Sequence, residues 1–475
     1  MPRSDSGLRR LIASVFLLLL LSACTVGPDY VKPAIAPPVA FRYAPANAPT
    51  PPEPAGGEWW RLFGDPVLRR LIAAAMADNF DLAASAQRIA QARAVARISR
   101  SGLFPSVSAD PAYAKTGVSK TLETGPGGTF TAWNLPLEVA YEIDLFGRVR
   151  RGAEASLADA EAVVEDDLSL RLVLQTEIAV NYFAMRALDD DIRIVSRAIQ
   201  VRRETLRILK NRYALGAISR LPVAQAEAEL SATEALLSAL SRDRTRLENA
   251  IAVLSGKAPV ELSLRAAPLE TPPPTMPSVV PSALLEFRPD IRRAERLMAA
   301  ENARVGVAAA AFYPRVSIGA NAGFASGQAG DLFDVKSFAW GVLPNIHIPI
   351  FEGGRNVAEL DRARARYAEV YARYRQVVVE AFGEVENALA SVALLEREQA
   401  ANLDAVRFAE EAYHLSKAQF DGGWVNYLSV LDAERTFLDN LRLSSRLRGQ
   451  RYLAAVALIK SIGGDWTPAV GSGTP

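Results

Sequence analysis

The sequence predicts an α+β membrane protein in which membrane-type β-strands continue into long coiled-coil α-helical hairpins. Three observations predict this fold. The pattern of residues 212–227 recurs 207 positions later, at 419–434, with Gly, Leu, Val, Ala and Glu at matching places, so the chain is a tandem internal duplication. Several segments alternate apolar and polar residues with period two, which indicates strands. A run of 63 residues without Gly or Pro carries apolar residues every seven positions, which indicates a coiled coil.

The overall composition excludes three classes of protein. Half of the residues are apolar, and 54 Lys and Arg nearly balance 53 Asp and Glu. Neither disorder nor a basic surface that binds nucleic acid is therefore indicated. With one cysteine in the chain, a disulfide framework is excluded as well.

The first residues are typical of an export signal, which we place at 1–23. The apolar run Leu11–Leu21 follows two arginines and is too short to span a bilayer, for which about 20 residues are needed. The sequence Leu-Ser-Ala-Cys that ends at Cys24 resembles the lipobox of bacterial lipoproteins. This resemblance implies cleavage before Cys24 and covalent N-acyl and S-diacylglycerol groups on it; the alternative is a free structural thiol. Thr25, rather than Asp, favours the outer membrane over the inner membrane.

The mature chain divides into two structural repeats joined by proline-rich segments. A lipidated tether is expected at 24–58, because nine prolines between Pro28 and Pro54 exclude helix and inner strand. A second proline-rich segment, 258–281, is the predicted linker, and 467–475 is a predicted flexible tail. The first repeat, 59–257, is expected to contain a helix, strands 104–115 and 130–146, and a helical hairpin 148–256. The second repeat, 282–466, is expected to contain a helix, strands 314–325 and 338–351, and a helical hairpin 354–463.

The four predicted strands have the length and alternation of membrane-barrel strands. A half-buried soluble sheet would look the same strand by strand. Four strands cannot close a membrane barrel, for which about eight is the usual minimum, and an open edge is not tolerated in lipid. If the strands lie in the membrane, the protein must oligomerise.

The helices carry sustained heptads. As one helix the uninterrupted run between Gly152 and Gly216 would reach about 95 Å. In the second copy a polar residue, Gln399, interrupts the apolar series once. Each series contains apolar residues seven positions apart. They are Ile178, Met185, Ile192, Ile199 and Leu206 in the first copy, and Val378, Val385, Val392, Val406, Tyr413 and Phe420 in the second.

No catalytic or metal-binding motif is found. The chain has no phosphate-binding glycine loop, no GxSxG and no CxxC, and His347 and His414 lack partners at ligand spacing. The acidic pair 166–167 and the acidic run 189–191 are expected to be solvated helix faces. We therefore expect no enzyme, no metal site and no cofactor beyond the acyl groups.

Four passages carry a resemblance to a known family: CTVGPDYVKP, GEWWRLFGDPVL, YEIDLFGRVRR and NYLSVLDAER. With the duplication, they resemble the TolC-like outer-membrane factor family, in its lipoprotein branch of the OprM/NodT type. The resemblance implies a homotrimer whose 12-stranded outer-membrane β-barrel, four strands per chain, continues into a periplasmic α-helical barrel. It also implies a lipid-anchored exit channel of a tripartite efflux system that passively conducts drugs or other small toxic compounds. The implied partners are a periplasmic membrane-fusion adaptor, an inner-membrane RND transporter and outer-membrane lipid.

Alternative functions remain at this level. The channel could serve metal-ion efflux or type I protein secretion instead. A periplasmic adaptor would need a lipoyl-like sheet split around a single hairpin, whereas this chain shows two hairpins. A soluble coiled-coil scaffold leaves the period-two strands unexplained.

The family places its periplasmic gate at positions that match Leu428, Asp432 and Arg435. Leu428 and Asp432 are four residues apart on one helix face, so a trimer would stack a ring of leucines on a ring of carboxylates. The alternative is that Leu428 packs into its hairpin and Asp432 pairs with Arg435. Ser429 stands where some members have Asp, and the first copy has Leu221 and Gln225 at the matching places, so only the second copy supplies the acid.

The turns of both hairpins are expected to meet the adaptor. Glycines break the helices there, and Ser219 and Asn426 are placed to cap the next helices. The alternative is that these residues only form tight turns. The docking residues that the resemblance implies are Leu215, Gly216, Ser219, Gly422, Gly423 and Asn426.

Overall fold

The computed structural model describes residues 25–44, 58–119, 121, 127–269, 272–274 and 287–464. The predicted acylation site Cys24 lies outside these residues. Seven α-helices are described here: α1 Pro66–Asp78, α2 Phe80–Ser101, α3 Arg148–Ala214, α4 Arg220–Leu254, α5 Pro289–Ala310, α6 Arg355–Asp421 and α7 Tyr427–Ser461. The strands are β1 Ser106–Ala109, β2 Ala112–Val118, β3 Gly128–Ile143, β4 Arg315–Ser326 and β5 Phe338–His347.

The long helices repeat with a constant offset. Helices α3 and α6 have 67 residues each, and α4 and α7 have 35 each. Every start and end in the second copy lies 207 positions after its counterpart in the first. In the part of the chain that the structure describes, no helix is both long and apolar enough to cross a membrane.

Two compact units share these helices. One comprises Arg88–Val164, Arg293–Arg375 and the N-terminal residues up to Ala34, and it contains the β-sheet. The other comprises Ile35–Gln87, Glu165–Arg292 and Gln376–Pro475, and it contains both hairpin turns.

The strands form one antiparallel sheet in the order β1, β3, β4, β5, with β2 also paired to β3. The strand expected at 104–115 is wrong in detail, because it is two short strands separated at Asp110 and Pro111. Pro111 has no N–H to donate to the ladder. The last strand ends at His347 rather than at 351, two residues before Pro349.

The register gives the sheet one apolar and one polar face. Val139 lies opposite Val107 and Ala320, whereas Glu138 lies opposite Ser108 and Asn321. None of the strand residues is buried on either face, and Trp340 and Val342 are 72% and 58% exposed. The described residues of the chain therefore do not cover the apolar face, as a half-buried soluble sheet would require.

An acidic residue and a glycine build the passage from β3 into α3. The Asp144 carboxylate accepts hydrogen bonds from the backbone N–H groups of Val149, at 3.1 Å, and Arg150, at 2.8 Å, in the first turn of α3. Gly147 adopts a φ of 81°, which L side chains rarely adopt. The YEIDLFGRVRR passage is thus a strand stop followed by a helix start.

The described residues 25–44 of the predicted tether form neither helix nor strand, as its prolines predict, but part of this segment is bonded to the rest of the chain. In the sheet-containing unit the Val26 N–H donates to the Phe146 carbonyl at 3.1 Å, and the Asn302 amide donates to the Pro28 carbonyl at 2.9 Å. The Tyr30 hydroxyl donates to Glu295 at 2.5 Å. Residues 26–30 are therefore held against this unit.

The GEWWRLFGDPVL passage contributes to the core of the unit that contains both hairpin turns. Trp59 is fully buried, and Phe63 lies against Phe183 with ring centroids 4.8 Å apart. Asp65 caps α1 by accepting from the backbone N–H groups of its first turn, and its other carboxylate oxygen accepts from the Tyr182 hydroxyl at 2.6 Å. One aspartate thus fixes the start of α1 against α3.

The acidic run 189–191 is buried, so the expectation of a solvated face was wrong. Each carboxylate has an arginine partner: Asp189 lies 2.6 Å from Arg244 and Asp191 lies 2.8 Å from Arg442, while Asp190 pairs with Arg193. The arginines on α4 and α7 are distant in sequence, which is why the sequence did not reveal the pairs. Of the pair 166–167, Asp166 is exposed as expected, but Asp167 is buried and pairs with Arg171.

The same cluster fixes the predicted linker. The Arg186 and Arg244 guanidinium groups donate to the backbone carbonyls of Arg265 and Leu264, and the Ala267 N–H donates to Asp189. Buried charges are stable only when they are paired and hydrogen-bonded. The described part of the linker is therefore a packed segment across α3 and α4.

Candidate gate and docking surface at the hairpin tips

Two equivalent turns form the hairpin tips, which we define as Leu215–Ser219 and Gly422–Asn426. At the end of α3 the Ala217 N–H donates to the Arg212 carbonyl at 2.9 Å, and at the end of α6 the Trp424 N–H donates to the Gln419 carbonyl at 2.9 Å. Gly216 and Gly423 have φ values of 74° and 80°. Both helices thus end in the same Schellman motif.

An apolar cluster lies behind the tips and joins all four long helices. Its buried members are Leu209 of α3, Val223 and Ala226 of α4, and Tyr427, Val430 and Leu431 of α7, and Tyr413 and Phe420 of α6 pack against them. The two tips are therefore held by one common core.

The predicted docking residues divide by their roles in these turns. The Asn426 side chain caps α7 by accepting from the Ser429 N–H at 3.2 Å. Ser219 occupies the matching position before α4 without a side-chain capping bond, so its expected cap is wrong. Leu215 is 84% exposed.

Leu428 and Asp432 both face outward from α7. Leu428 is 44% exposed and Asp432 is exposed one helical turn further on. The buried contacts of this turn are made instead by Tyr427, Val430 and Leu431. The two predicted gate residues therefore share one uncovered helix face.

Arg435 pairs with Glu229 of α4. The alternative in which Arg435 pairs with Asp432, three residues earlier on the same helix, is therefore wrong. The Arg435 Nε lies 2.9 Å from a Glu229 carboxylate oxygen. Glu229 also lies 2.8 Å from Arg202 of α3, and Arg202 lies 2.8 Å from Glu434 of α7. A network of two arginines and two glutamates thus connects α3, α4 and α7 behind the tips.

The middle of this network is buried. Arg202 retains 5% of its side-chain exposure, Glu434 11% and Glu229 14%. The Arg202 guanidinium also donates to the Thr233 hydroxyl. Arg202 is therefore the central cation, while Arg435 forms the outer pair, being half exposed.

The network predicts a pH dependence of tip stability. Burial alone would raise the pKa of Glu229, but the hydrogen bond from Arg435 and the charges of Arg202 and Arg435 outweigh it and hold that pKa below its usual 4.5. A lowered carboxyl pKa stabilises the fold above the ordinary pKa, and this stability is lost as pH falls through the lowered value. We expect Glu229→Gln to cost about 1.5 to 3 kcal/mol at neutral pH.

This prediction is measured by thermal unfolding of the parent and Glu229→Gln across the acid range. The difference between their Tm values should be present at neutral pH and should disappear well below 4.5, the usual pKa of a glutamate. A difference that stays constant with pH would contradict the assignment. Glu234→Gln is the matched control, because Glu234 lies on the same helix and its pair with Arg203 is exposed at both ends.

Sequence reasoning missed Trp424 at the second tip. Its side chain is 82% exposed. The available signal was a tryptophan in a turn without charged residues, where the first copy has Ala217.

The structure gives one charged neighbour for each histidine. His414 is exposed, with Glu410 at 4.0 Å, and His347 lies opposite Arg315 on the sheet. Within the described ranges no three His, Cys, Asp or Glu side chains are grouped so that they could hold a metal ion.

The fold and the tips define a class of protein, a duplicated chain of membrane-type strands and long helical hairpins. A family model described as outer membrane efflux protein matches residues 71–257 and again residues 280–464. The chain belongs to the outer membrane efflux protein family. The two matches coincide with the two copies and confirm the duplication.

Individual relatives cover nearly the whole chain. It is 32% identical over 473 residues to the toluene efflux pump outer membrane protein TtgF of Pseudomonas putida, with 95% of this chain and 96% of that protein covered. The structure of the outer-membrane channel OprN matches with a TM-score of 0.88 and 30% identity, over 93% of this chain and all of that one. The open state of the Neisseria gonorrhoeae MtrE outer membrane channel matches with a TM-score of 0.82 and 29% identity, over 94% of this chain and all of that one. The chain is therefore an outer-membrane efflux protein.

Proposed function

We propose that the chain is the outer-membrane exit channel of a tripartite efflux pump and that it acts as a homotrimer. The observation that carries this proposal is the sheet. It is four strands wide, because β1 and β2 pair with successive parts of β3. Among the described residues both edges of the sheet are unpaired, and none of the strand residues is buried. Three such sheets joined edge to edge would form a 12-stranded barrel with no free edge in lipid.

A second set of exposed residues supports oligomerisation through the helices. Helix α3 exposes Val201 and Ile208, and α6 exposes Phe408 and Leu415. Each pair has heptad spacing, and the two pairs are related by the 207 offset. The heptad residues identified from the sequence pack within the chain. Val201, Ile208, Phe408 and Leu415 lie outside that series and form an additional coiled-coil seam. A neighbouring subunit's long helices would cover it and close the helical barrel.

In this trimer Leu428 and Asp432 would form the gate. The leucine ring would exclude water, and the carboxylate ring below or above it would favour cations. The Arg435–Glu229 pair joins the gate helix to α4 and would hold the closed position. Conduction through the open channel is passive, and an inner-membrane RND transporter, reached through a periplasmic adaptor, would supply the energy.

The N-terminal segment supports the proposed lipid anchor. Val26, two residues after Cys24, is bonded to Phe146, just after the end of β3. Acyl groups on Cys24 would then enter lipid close to the end of the barrel strands. This agrees with an anchor in the same membrane as the barrel.

We propose small apolar toxicants, such as organic solvents and hydrophobic drugs, as the cargo. TtgF, a relative over nearly its full length, is a toluene efflux protein. Among the described residues no three His, Cys, Asp or Glu side chains are grouped so that they could hold a metal ion, so no metal-binding site marks the chain as a metal exporter.

Deletion and complementation in the source bacterium test the function. Cells without the protein should become more sensitive to toluene and hydrophobic dyes, and the intact chain should restore resistance. The purified protein should be an acylated trimer that resists extraction by salt and gives ion conductance in planar bilayers. Recovery of a salt-extractable monomer without conductance would refute the channel assignment.

A further inference from the structure

The two hairpin tips present different large side chains on the same backbone. Trp424 is 82% exposed in the second tip, and the equivalent residue of the first tip is Ala217. At another position the large side chain is in the first tip: Leu215 is 84% exposed, and the equivalent residue of the second tip is Gly422. The duplicated turn is therefore symmetric in its backbone and asymmetric in its surface.

The turn does not need the indole. Its closing hydrogen bond from residue 424 to Gln419 has the same length, 2.9 Å, as the bond from Ala217 to Arg212. Each turn also has its positive-φ glycine immediately before this position. Since alanine forms the same motif in the first copy, a tryptophan in the second must act through its exposed side chain.

The surroundings of Trp424 suit an apolar contact. Neither tip contains a charged residue, although 23% of the whole chain is charged. Asp421 and Arg220 flank the tips and are exposed, but covering the five residues of each tip itself buries no charged side chain. The backbone N–H of Trp424 is held by its hydrogen bond to the Gln419 carbonyl. Two residues later, Asn426 caps the start of α7. With its backbone fixed and only two rotatable side-chain bonds, an exposed tryptophan loses little conformational entropy on binding, which is the property of an interface hot spot.

We propose that Trp424 is the anchor by which the second hairpin tip binds the pump's periplasmic adaptor. The matching surface on the adaptor would be the end of a helical hairpin, with a hollow lined by small apolar side chains and an acceptor for the indole N–H. This inference rests on the proposed function and adds a residue that distinguishes the two tips. The first tip, with Leu215, would make a smaller contact.

Trp424→Ala gives the second tip the residue that the first already has, so the turn is expected to fold. In complemented deletion cells, toluene and dye resistance should fall towards the deletion level, with about 30-fold weaker association of adaptor and channel. Trp424→Phe should restore part of the resistance because it retains an aromatic ring. Conductance of the purified Trp424→Ala channel in planar bilayers should equal that of the parent.

Site-specific photocrosslinking identifies the contact. A benzophenone side chain at position 424 should crosslink to a peptide at the end of a helical hairpin of the adaptor, and one at position 217 should do so less. Crosslinks to lipid or to a second copy of this chain would overturn the proposal. So would a changed conductance of Trp424→Ala, since the indole would then belong to the gate.

The two proposals fail differently. If deletion of the whole chain leaves toluene and dye resistance unchanged, the proposed function is wrong. If deletion abolishes resistance but Trp424→Ala retains it in full, only the anchor assignment is wrong.

Discussion

Replacing Leu428 and Asp432 together with alanine is expected to raise the resting conductance of the channel about tenfold, which corresponds to about 1.4 kcal/mol less preference for the closed state. The double variant, Leu428→Ala with Asp432→Ala, removes an exposed apolar group and an exposed carboxylate from one face of α7. In a trimer each change occurs three times around the axis. Both rings would therefore widen at once, while the buried contacts of Tyr427, Val430 and Leu431 remain.

Single-channel recording in planar bilayers measures this effect. The matched control is Leu221→Ala with Gln225→Ala, at the equivalent places on α4 in the first copy, where Leu221 is 64% exposed. We expect the control to conduct like the parent. Equal conductance of the parent and the Leu428, Asp432 variant would show that these residues do not form the gate.

Arg202→Ala is expected to give the largest loss of stability at the tips. Arg202 is the only cation placed between Glu229 and Glu434 within the described network, and its removal leaves Glu434 buried without its arginine. Removing one partner of a buried ion pair costs about 3 to 5 kcal/mol. The cost arises in every chain of an oligomer.

Two measurements separate a local effect from general unfolding. The Tm should fall by several degrees, and amide hydrogen exchange should accelerate in α4 and α7 near the tips while the Trp59 core remains protected. Arg203→Ala is the matched control, because its pair with Glu234 is about half exposed at both ends and contributes at most about 1 kcal/mol. If both variants lost the same stability, burial of the network would not be what gives Arg202 its importance.

The duplication and the long helices could be predicted because their signals are local or strictly repeated. Heptad spacing depends on residues within one helix, and the 207 offset compares the chain with itself. The predicted start of the first hairpin at residue 148 agrees with α3, and its turn is bounded by Ala214 and Arg220. The strands were found from their alternation, but the interruption at Pro111 was not recognised as the end of one strand and the start of another.

The candidate site was predictable only in part. The positions of Leu428 and Asp432 came from a family resemblance, and their exposure on one face agrees with the spacing of four residues. The partner of Arg435 could not be found, because Glu229 lies 206 positions away in sequence. The buried run 189–191 was misinterpreted for the same reason, since hydrophilic residues indicate solvent exposure unless distant partners are known.

The constant offset between the two sets of long helices limits how the length of this protein can change. Seven residues inserted into one helix add about 10.5 Å and preserve the heptad phase. The two hairpin tips stay at equivalent positions only if the insertion is made in both helices of a hairpin and at matching places in both copies. A viable change of length thus requires four coordinated insertions per chain. The length of the long helices can therefore change only by whole heptads. An engineered version could be fitted to a wider or narrower periplasm only in such steps.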